Sequence, residues 1–485
     1  MKSIVFFIML IFCFLGLQAQ SNLEAQFQNF ISDPNLKSAG ISFQLKEVNT
    51  NKVIFEHQPN LSLSTASTAK LFSTAGAIDI LGPNYQPSTR LYIDGTINSN
   101  GELLGNLWVR GGGDPTLGSK YFNAYGKELD FLNSWLLAIQ QSGIKKITGK
   151  IIVDGSEFGY EGVPDGWAWS DIGNYYGAGF GGICIADNLM KYHFQTGAVA
   201  GEVCTLTYTD PKLPDFKFTN YIQNAKITND KSIIYGAPFS SDRFGTGFLP
   251  MNRNDYVVKG SLPDPEAYLA QVLYEHLTKN QIPVTEKFAP FRTNQLVKNN
   301  YLEFQLIHTH MGPKLSEIAK ETNHRSINLF AESMLGLIGY QKMGKGTLKE
   351  GVRFLKQYFG NKLKFNGLFI EDGSGLSRSN AVSAADFTTL LNYMAQSINY
   401  KSFLQTLPTV GVSGTVSDLC VKQIAAGKIQ AKSGTMERVK SYAGYVTTLS
   451  GKKLSFSIII NNYSCSNYQI VSKIERIMNE MVRVL

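Results

Sequence analysis

Apolar positions at the two ends of the chain form matching patterns. Near the start, Leu23 to Ile31 has the spacing of a short helix, and Ile41, Phe43 and Leu45 then alternate with polar residues before a turn at Asn49-Thr50-Asn51. Val53-Ile54-Phe55 returns as a second strand. At the far end, residues 444–449 (GYVTTL) and 453–463 (KLSFSIIINNY) read as paired strands joined at Ser450-Gly451. Ile470, Val471, Ile474, Ile477, Met478, Val482 and Leu485 follow i, i+3, i+4, i+7 spacing, which predicts a terminal helix with one apolar face against that sheet. One sheet built from both ends of the chain is the simplest architecture.

The stretch between has a different texture. From Gly82-Pro83 onward it is rich in Gly, Tyr and Asn, with short alternating runs such as 90–97 (RLYIDGTI) and a turn signal at Asn98-Ser99-Asn100-Gly101. This predicts inserted domain material. The Gly-rich turn in 105–117 (GNLWVRGGGDPTL) lacks the Gly-Lys-Ser/Thr ending that a phosphate loop needs. Residues 265–282 read as an amphipathic helix, and after Pro283 and Val284 the chain heads back toward the first domain.

Composition adds a compartment. Of 485 residues, 43% are hydrophobic, which suits two or three globular domains. Residues 1–20 carry Lys2, an apolar run from Ile4 to Leu17 and small residues near Ala19, the pattern of a cleavable secretory leader. No later segment offers about 18 uninterrupted apolar residues, so an exported, periplasmic or extracytoplasmic protein without an integral membrane segment is expected. Ile11 and Phe12, ahead of Cys13, are too bulky for a lipoprotein signal. Cys184, Cys204, Cys420 and Cys465 remain, with no zinc-type spacing. A Cys184–Cys204 disulfide is one reading and four buried thiols the other. The formal net charge of +8, or +7 without Lys2, is spread without basic runs, so nucleic acid is not an expected partner.

Chemistry enters at Ser67-Thr68-Ala69-Lys70, directly ahead of the apolar segment 71–81 (LFSTAGAIDIL). Residues three apart on a helix share a face, so the Lys70 amine can reach the Ser67 hydroxyl. A serine needs such a base to become a nucleophile, and backbone N–H groups at the helix start favour developing negative charge. Ser-x-x-Lys alone also recurs by chance, as a solvated helix face. Two further short motifs follow: Ser326-Ile327-Asn328, where a helix starts, and Lys432-Ser433-Gly434-Thr435 in a predicted strand. Singly, these read as a capping serine and a surface lysine. His308-Thr309-His310 has no third ligand nearby and Gly-x-Ser-x-Gly is absent, so neither a metal centre nor an α/β-hydrolase elbow is indicated, and no cofactor is expected.

Taken in order, the three motifs resemble the set Ser-x-x-Lys, Ser-x-Asn, Lys-Ser/Thr-Gly of β-lactamases and penicillin-binding proteins. The 259 positions from Ser67 to Ser326 require an insert of about 200 residues, too long for a compact β-lactamase. That insert resembles the penicillin-binding protein 4 type of D-alanyl-D-alanine carboxypeptidase, the S13 peptidases. The likeness extends through 109–117 (VRGGGDPTL), 165–179, 258–273, 328–335 (NLFAESML) and 371–380 (EDGSGLSRSN).

The resemblance implies an α/β (α+β) fold: a serine β-lactamase/DD-peptidase-like domain, an antiparallel sheet flanked by helices, with large nested inserted domains. Its parts would be 21–83 and 298–485, with a second domain over 84–184 and 258–297 and a third over 185–257. It also implies that Ser67 attacks the carbonyl between two D-alanines, Lys70 takes its proton and Ser326 relays a proton to the departing D-alanine. Asn328 would orient Lys70 and the substrate amide, while Lys432 would stay charged, hold the terminal carboxylate and depress the Lys70 pKa. Ser433 would add a hydroxyl, and the Ser67 and Thr435 N–H groups an oxyanion hole. Asp154, Phe158 and Arg378 occupy places matching a side-chain subsite, with Arg378 equally readable as an anchor of its own loop; Glu437 stands where Gln may occur. The implied partners are peptidoglycan stem peptides and β-lactam antibiotics. Carboxypeptidase and endopeptidase action are both open to such machinery. The alternatives are a β-lactamase-like hydrolase and a non-catalytic peptidoglycan-binding or assembly protein.

Overall fold

The computed structural model describes residues 22–294 and 298–484; the expected leader, Cys13 and Leu485 lie outside the described residues. Two compact units result, the first drawn from Met1–Pro83, Ser316–Ile327 and Leu355–Leu485, the second from Asn84–Leu315 and Asn328–Phe354.

The first unit is built on an antiparallel five-stranded sheet, in the order Ile429–Met436, Val439–Thr447, Lys453–Asn461, Gly40–Glu47, Val53–His57. The two ends of the chain meet where Gly40–Glu47 pairs with Lys453–Asn461 in unbroken register. Period-2 alternation divides the first strand. Ile41, Phe43 and Leu45 join the helix over 22–31 and the terminal helix Asn467–Arg483 in one apolar core. That terminal helix begins at a Ser466–Gln469 capping box and buries Ile470, Ile474, Ile477, Met478 and Val482. The polar alternates are buried as well. Ser42 accepts from the Ala384 N–H at 3.1 Å and Gln44 is bonded by Thr388, both on the helix Ala384–Gln396 that covers the other face.

The second unit contains a mixed sheet in the order Phe288–Pro290, Ile151–Asp154, Leu107–Gly111, Ser88–Ile93, Gln305–Met311. The helices Phe131–Gln141 and Pro265–Lys279 bury Trp135, Leu269 and Leu273 in its core. Because Gln305–Met311 pairs with Ser88–Ile93, residues 305–311 belong to this unit, and the return to the first unit falls at Ser316, later than the expected residue 298. Within the same unit, strands between Leu189 and Ser261 form two small sheets around their own cluster of Met190, Tyr192, Phe194, Ile222, Ile234, Leu249 and Val258.

Glycines of the GGGDP turn serve close packing. A Cβ at Gly111 would stand 2.3 Å from the Gly182 carbonyl oxygen and one at Gly112 2.2 Å from that of Ser88. His310 packs against Phe131 and Trp135, and burial, followed by His308, pushes its imidazole down to about 4. No disulfide joins the described cysteines: Cys184, Cys204 and Cys420 are buried thiols, and Cys465 is half-buried. The Cys184–Cys204 reading is therefore corrected. Cys184 is enclosed near the Gly181 carbonyl, whereas Cys204 donates to Asn224 within the small-sheet cluster. Among the described residues, no helix is long and apolar enough to cross a membrane.

Candidate active site

Ser67 lies on a 3-10 turn, Ala66–Ala69, that runs into the helix Lys70–Leu81. Leu71, Phe72, Ala75, Ala77 and Ile78 of that helix are essentially inaccessible, and Phe72 packs on Phe387 at 5.2 Å, so the turn rests on a fixed support. The Lys70 Nζ donates to Ser67 Oγ at 2.9 Å and to the Ser374 carbonyl at 2.8 Å, and Lys70 is 0% exposed. Expected spacing and observed contact agree.

Ser374 belongs to a loop that sequence reasoning noted only as part of the resemblance. Asp372, itself buried, accepts from the Gly375 and Ser377 N–H groups at 2.7 and 2.6 Å and from Asn380 Nδ2 at 2.7 Å. Ser73, on the nucleophile helix, donates to the Gly373 carbonyl at 2.9 Å. Gly375 has φ +80°, and a Cβ there would stand 1.9 Å from the Ala66 carbonyl oxygen, so only glycine lets the loop lie against the Ser67 turn. The density of Asp, Gly, Ser and Asn over 371–380 was the available signal.

The third motif meets the same turn. A Cβ at Gly434 would stand 2.3 Å from Ser441 Oγ and 2.4 Å from the Thr65 carbonyl oxygen. Ser441 Oγ donates to that Thr65 oxygen at 2.6 Å and lies 3.0 Å from Thr68 Oγ1, so strand and turn are bonded around the glycine. Lys432, 0% exposed, donates to Ser326 Oγ at 3.0 Å and to the Ser433 carbonyl at 2.7 Å. Ser326 sits between the helices Leu315–Arg325 and Asn328–Met343 with φ 60°, a left-handed conformation that a serine adopts only when its surroundings hold it there.

Ile429–Met436 is an edge strand. The Ile429 carbonyl accepts from Val410 N–H at 2.8 Å, and the Ala431 N–H donates to the Pro408 carbonyl at 3.0 Å, both away from the neighbouring strand. The register continues without a bulge, so alternation turns the Ser433 and Thr435 backbone groups to that same open edge. The Thr435 N–H thus faces outward, away from the neighbouring strand. Ser433 Oγ is 2.8 Å from Thr415 Oγ1, a partner no sequence signal indicated.

Charge differs from expectation in one respect. Burial, then the neighbouring Lys70 and Lys440, hold the Lys432 amine well below the ordinary lysine range, whereas it was expected to stay charged. Low dielectric and three converging amines oppose full protonation of the group.

Of the remaining candidates, Asn328, Asp154 and Phe158 belong to the second unit, and Arg378 and Glu437 to the first. Asn328 opens a helix of the second unit and donates to the Tyr176 carbonyl at 2.7 Å. Asp154 is 2% exposed; it accepts from Ser156 N–H at 2.8 Å, Asn299 Nδ2 at 3.0 Å and Tyr301 OH at 2.7 Å. Phe158 is equally buried, 5.0 Å from the Tyr340 ring and against Gly113 and Gly346, a packing position. Arg378 is exposed and, among the described residues, makes no hydrogen bond or ion pair. Its reading as loop anchor is corrected, since Asp372 fills that place. Glu437 is exposed at the hairpin tip.

The chain matches the model of the D-Ala-D-Ala carboxypeptidase 3 (S13) family over residues 23–484. It is 25% identical over 455 residues to the D-alanyl-D-alanine carboxypeptidase DacB of Haemophilus influenzae, covering 90% of this chain and 88% of the relative. A D-alanyl-D-alanine carboxypeptidase of Actinomadura is 25% identical over 458 residues, covering 92% and 82%. The fold is that of the crystal structure of penicillin binding protein 4 (dacB) from Haemophilus influenzae, with a TM-score of 0.76 at 23% identity, over 91% of this chain and 95% of that one. A contact between Ser67 and Lys70, a strand carrying Lys432 packed on their turn, and a family match spanning almost every described residue lead to one assignment: the chain belongs to the D-Ala-D-Ala carboxypeptidase 3 (S13) family of serine peptidases.

Proposed function

We propose that Ser67 is the acyl-accepting nucleophile of a serine-type D-Ala-D-Ala carboxypeptidase acting on peptidoglycan stem peptides. The observation that carries this is the 2.9 Å contact between Lys70 Nζ and Ser67 Oγ, with both groups on the turn against which Gly434 packs. The Lys70 amine takes the hydroxyl proton as Oγ adds to the penultimate D-alanine carbonyl, and the Ser67 and Thr435 N–H groups receive the charge developing on oxygen. As the C–N bond breaks, Ser326, bonded to Lys432, passes a proton to the departing amine. Water then cleaves the ester and regenerates Ser67. Lys432 and Ser433 hold the terminal carboxylate, whose negative charge favours the ammonium form that burial opposes. Asn328 orients the substrate amide, and Arg378, exposed on the 371–380 loop, is available to the side chain of the stem peptide.

The same steps open D-alanyl cross-links when the departing amine belongs to a second peptide, so endopeptidase action is included. A β-lactam acylates Ser67 by the same route. Since the substrate lies outside the cytoplasm, the leader over 1–20 fits export. The test is digestion of purified muropeptides by wild type and Ser67→Ala, reading D-alanine release and dimer opening separately, with mass spectrometry for a penicillin adduct. Wild type should release D-alanine and carry a persistent adduct on Ser67, and the variant should do neither. Retained activity in Ser67→Ala would overturn the mechanism, and rapid penicillin turnover would favour a β-lactamase.

A further inference from the structure

Lys440 lies on Val439–Thr447, directly across from Thr435 in the ladder, and its Nζ donates to Thr435 Oγ1 at 2.8 Å. The residue is 6% exposed and, among the described residues, forms no ion pair. Its ammonium also lies near the Lys432 amine, which it opposes, and 5.3 Å from the centroid of the Tyr442 ring. A lysine buried without a counter-charge is costly, and packing at this place could be met by an apolar side chain. Its one directional contact therefore identifies what the group does.

That contact falls at a sensitive point. Thr435 is exposed and one residue from the end of the edge strand, just before the tip at Glu437-Arg438. Because odd-numbered backbone groups of this strand face the open edge, Thr435 and Lys440 form a pair without ladder hydrogen bonds, in which side chains approach most closely. No ladder bond from its own amide steadies Thr435. The geometry points to Lys440 as a positioning residue: its amine clamps the Thr435 side chain and so fixes the direction of the N–H that meets the developing oxyanion at Ser67. This rests on the acyl-transfer role proposed above for Ser67 and Thr435. The effect is indirect, since Lys440 itself touches Thr435 rather than the reacting atoms.

The test uses the full chain and a fluorescent penicillin, with the second-order acylation constant resolved into initial binding and the acylation rate constant. Lys440→Met keeps the apolar stem and removes the donor; it should slow acylation about tenfold with binding unchanged, and Lys440→Arg should recover most of the rate. Thr435→Val keeps the backbone N–H and removes the clamped oxygen, so it should slow acylation to a similar degree. If the effect passes through Thr435, the double variant is no slower than the slower single one. Multiplying effects, an unchanged rate in Lys440→Met, or a loss confined to binding would each overturn the proposal. Failure of wild type to acylate at all would instead overturn the role of Ser67. Should Lys440→Met fail to fold, Thr435→Val and Lys440→Arg still decide the question.

Discussion

At the residue scale, Lys440 opposes stability to the degree that its charge is uncompensated. Burial pushes its amine down to about 8 from an ordinary lysine value of 10.5. Between those values the unfolded chain binds more protons than the folded one, so stability rises with pH through this window, and the full penalty is present below about 8. A shift of that size corresponds to about 3 kcal/mol, from which about 1 kcal/mol for the lost Thr435 hydrogen bond is subtracted when methionine replaces the lysine. Lys440→Met is therefore expected to be about 2 kcal/mol more stable than wild type in urea unfolding at pH 7, with the gap shrinking toward pH 10. Wild type proving the more stable at pH 7 would show that an unrecognised partner neutralises the charge. The pairing was not legible in the sequence, since no Gly or Asn marks the two-residue tip at 437–438 that sets 435 opposite 440. Nor was the depressed ammonium, because burial near the end of a strand depends on what covers it.

The nucleophile turn is held by three elements at once: its own helix, the Gly434 strand and the 371–380 loop. Strand and terminal helix follow from periods 2 and 3.6, which is why both ends of the chain are readable as one sheet. The helix Ala384–Gln396 is harder to place, because it covers the face where Ser42 and Gln44 point and meets it partly through hydrogen bonds. Alternation alone reads that face as solvent-facing. The loop is harder still: its organising group, Asp372, is a buried carboxylate satisfied by backbone N–H donors from residues three and five further on. Removing it leaves those donors unpaired and frees the carbonyl that fixes Lys70. Asp372→Ala should lose about 2–4 kcal/mol of stability and slow penicillin acylation of Ser67 at least tenfold, measured on protein shown to be folded by circular dichroism. Acylation at the wild-type rate in a folded Asp372→Ala protein would mean that Lys70 is positioned without the loop.

Across the whole molecule, contacts between positions far apart in the chain decide what local patterns cannot. Residues 305–311 join the second unit because they pair with Ser88–Ile93 more than two hundred positions earlier, and no periodicity within the segment announces that partner. The four described cysteines pose the same problem, since an even number in an exported chain suggests bridges. Yet Cys184 and Cys420 are enclosed, their thiols pushed up to about 12, in each case chiefly by burial, and burial raises Cys204 too. A high thiol pKa means little thiolate and slow exchange, so these groups stay reduced even where the surroundings oxidise. Among the described cysteines, only Cys465 is half-buried. Native protein is expected to react with a thiol reagent at Cys465 alone on the timescale of minutes, and at Cys184, Cys204, Cys420 and Cys465 after denaturation. Reductant should shift Tm by less than about 1 °C, whereas loss of a native disulfide costs about 2–5 kcal/mol and would lower it by several degrees. Such a drop, or fewer thiols after denaturation without reductant, would show that a bridge forms and that cores, rather than cross-links, are not the whole source of stability.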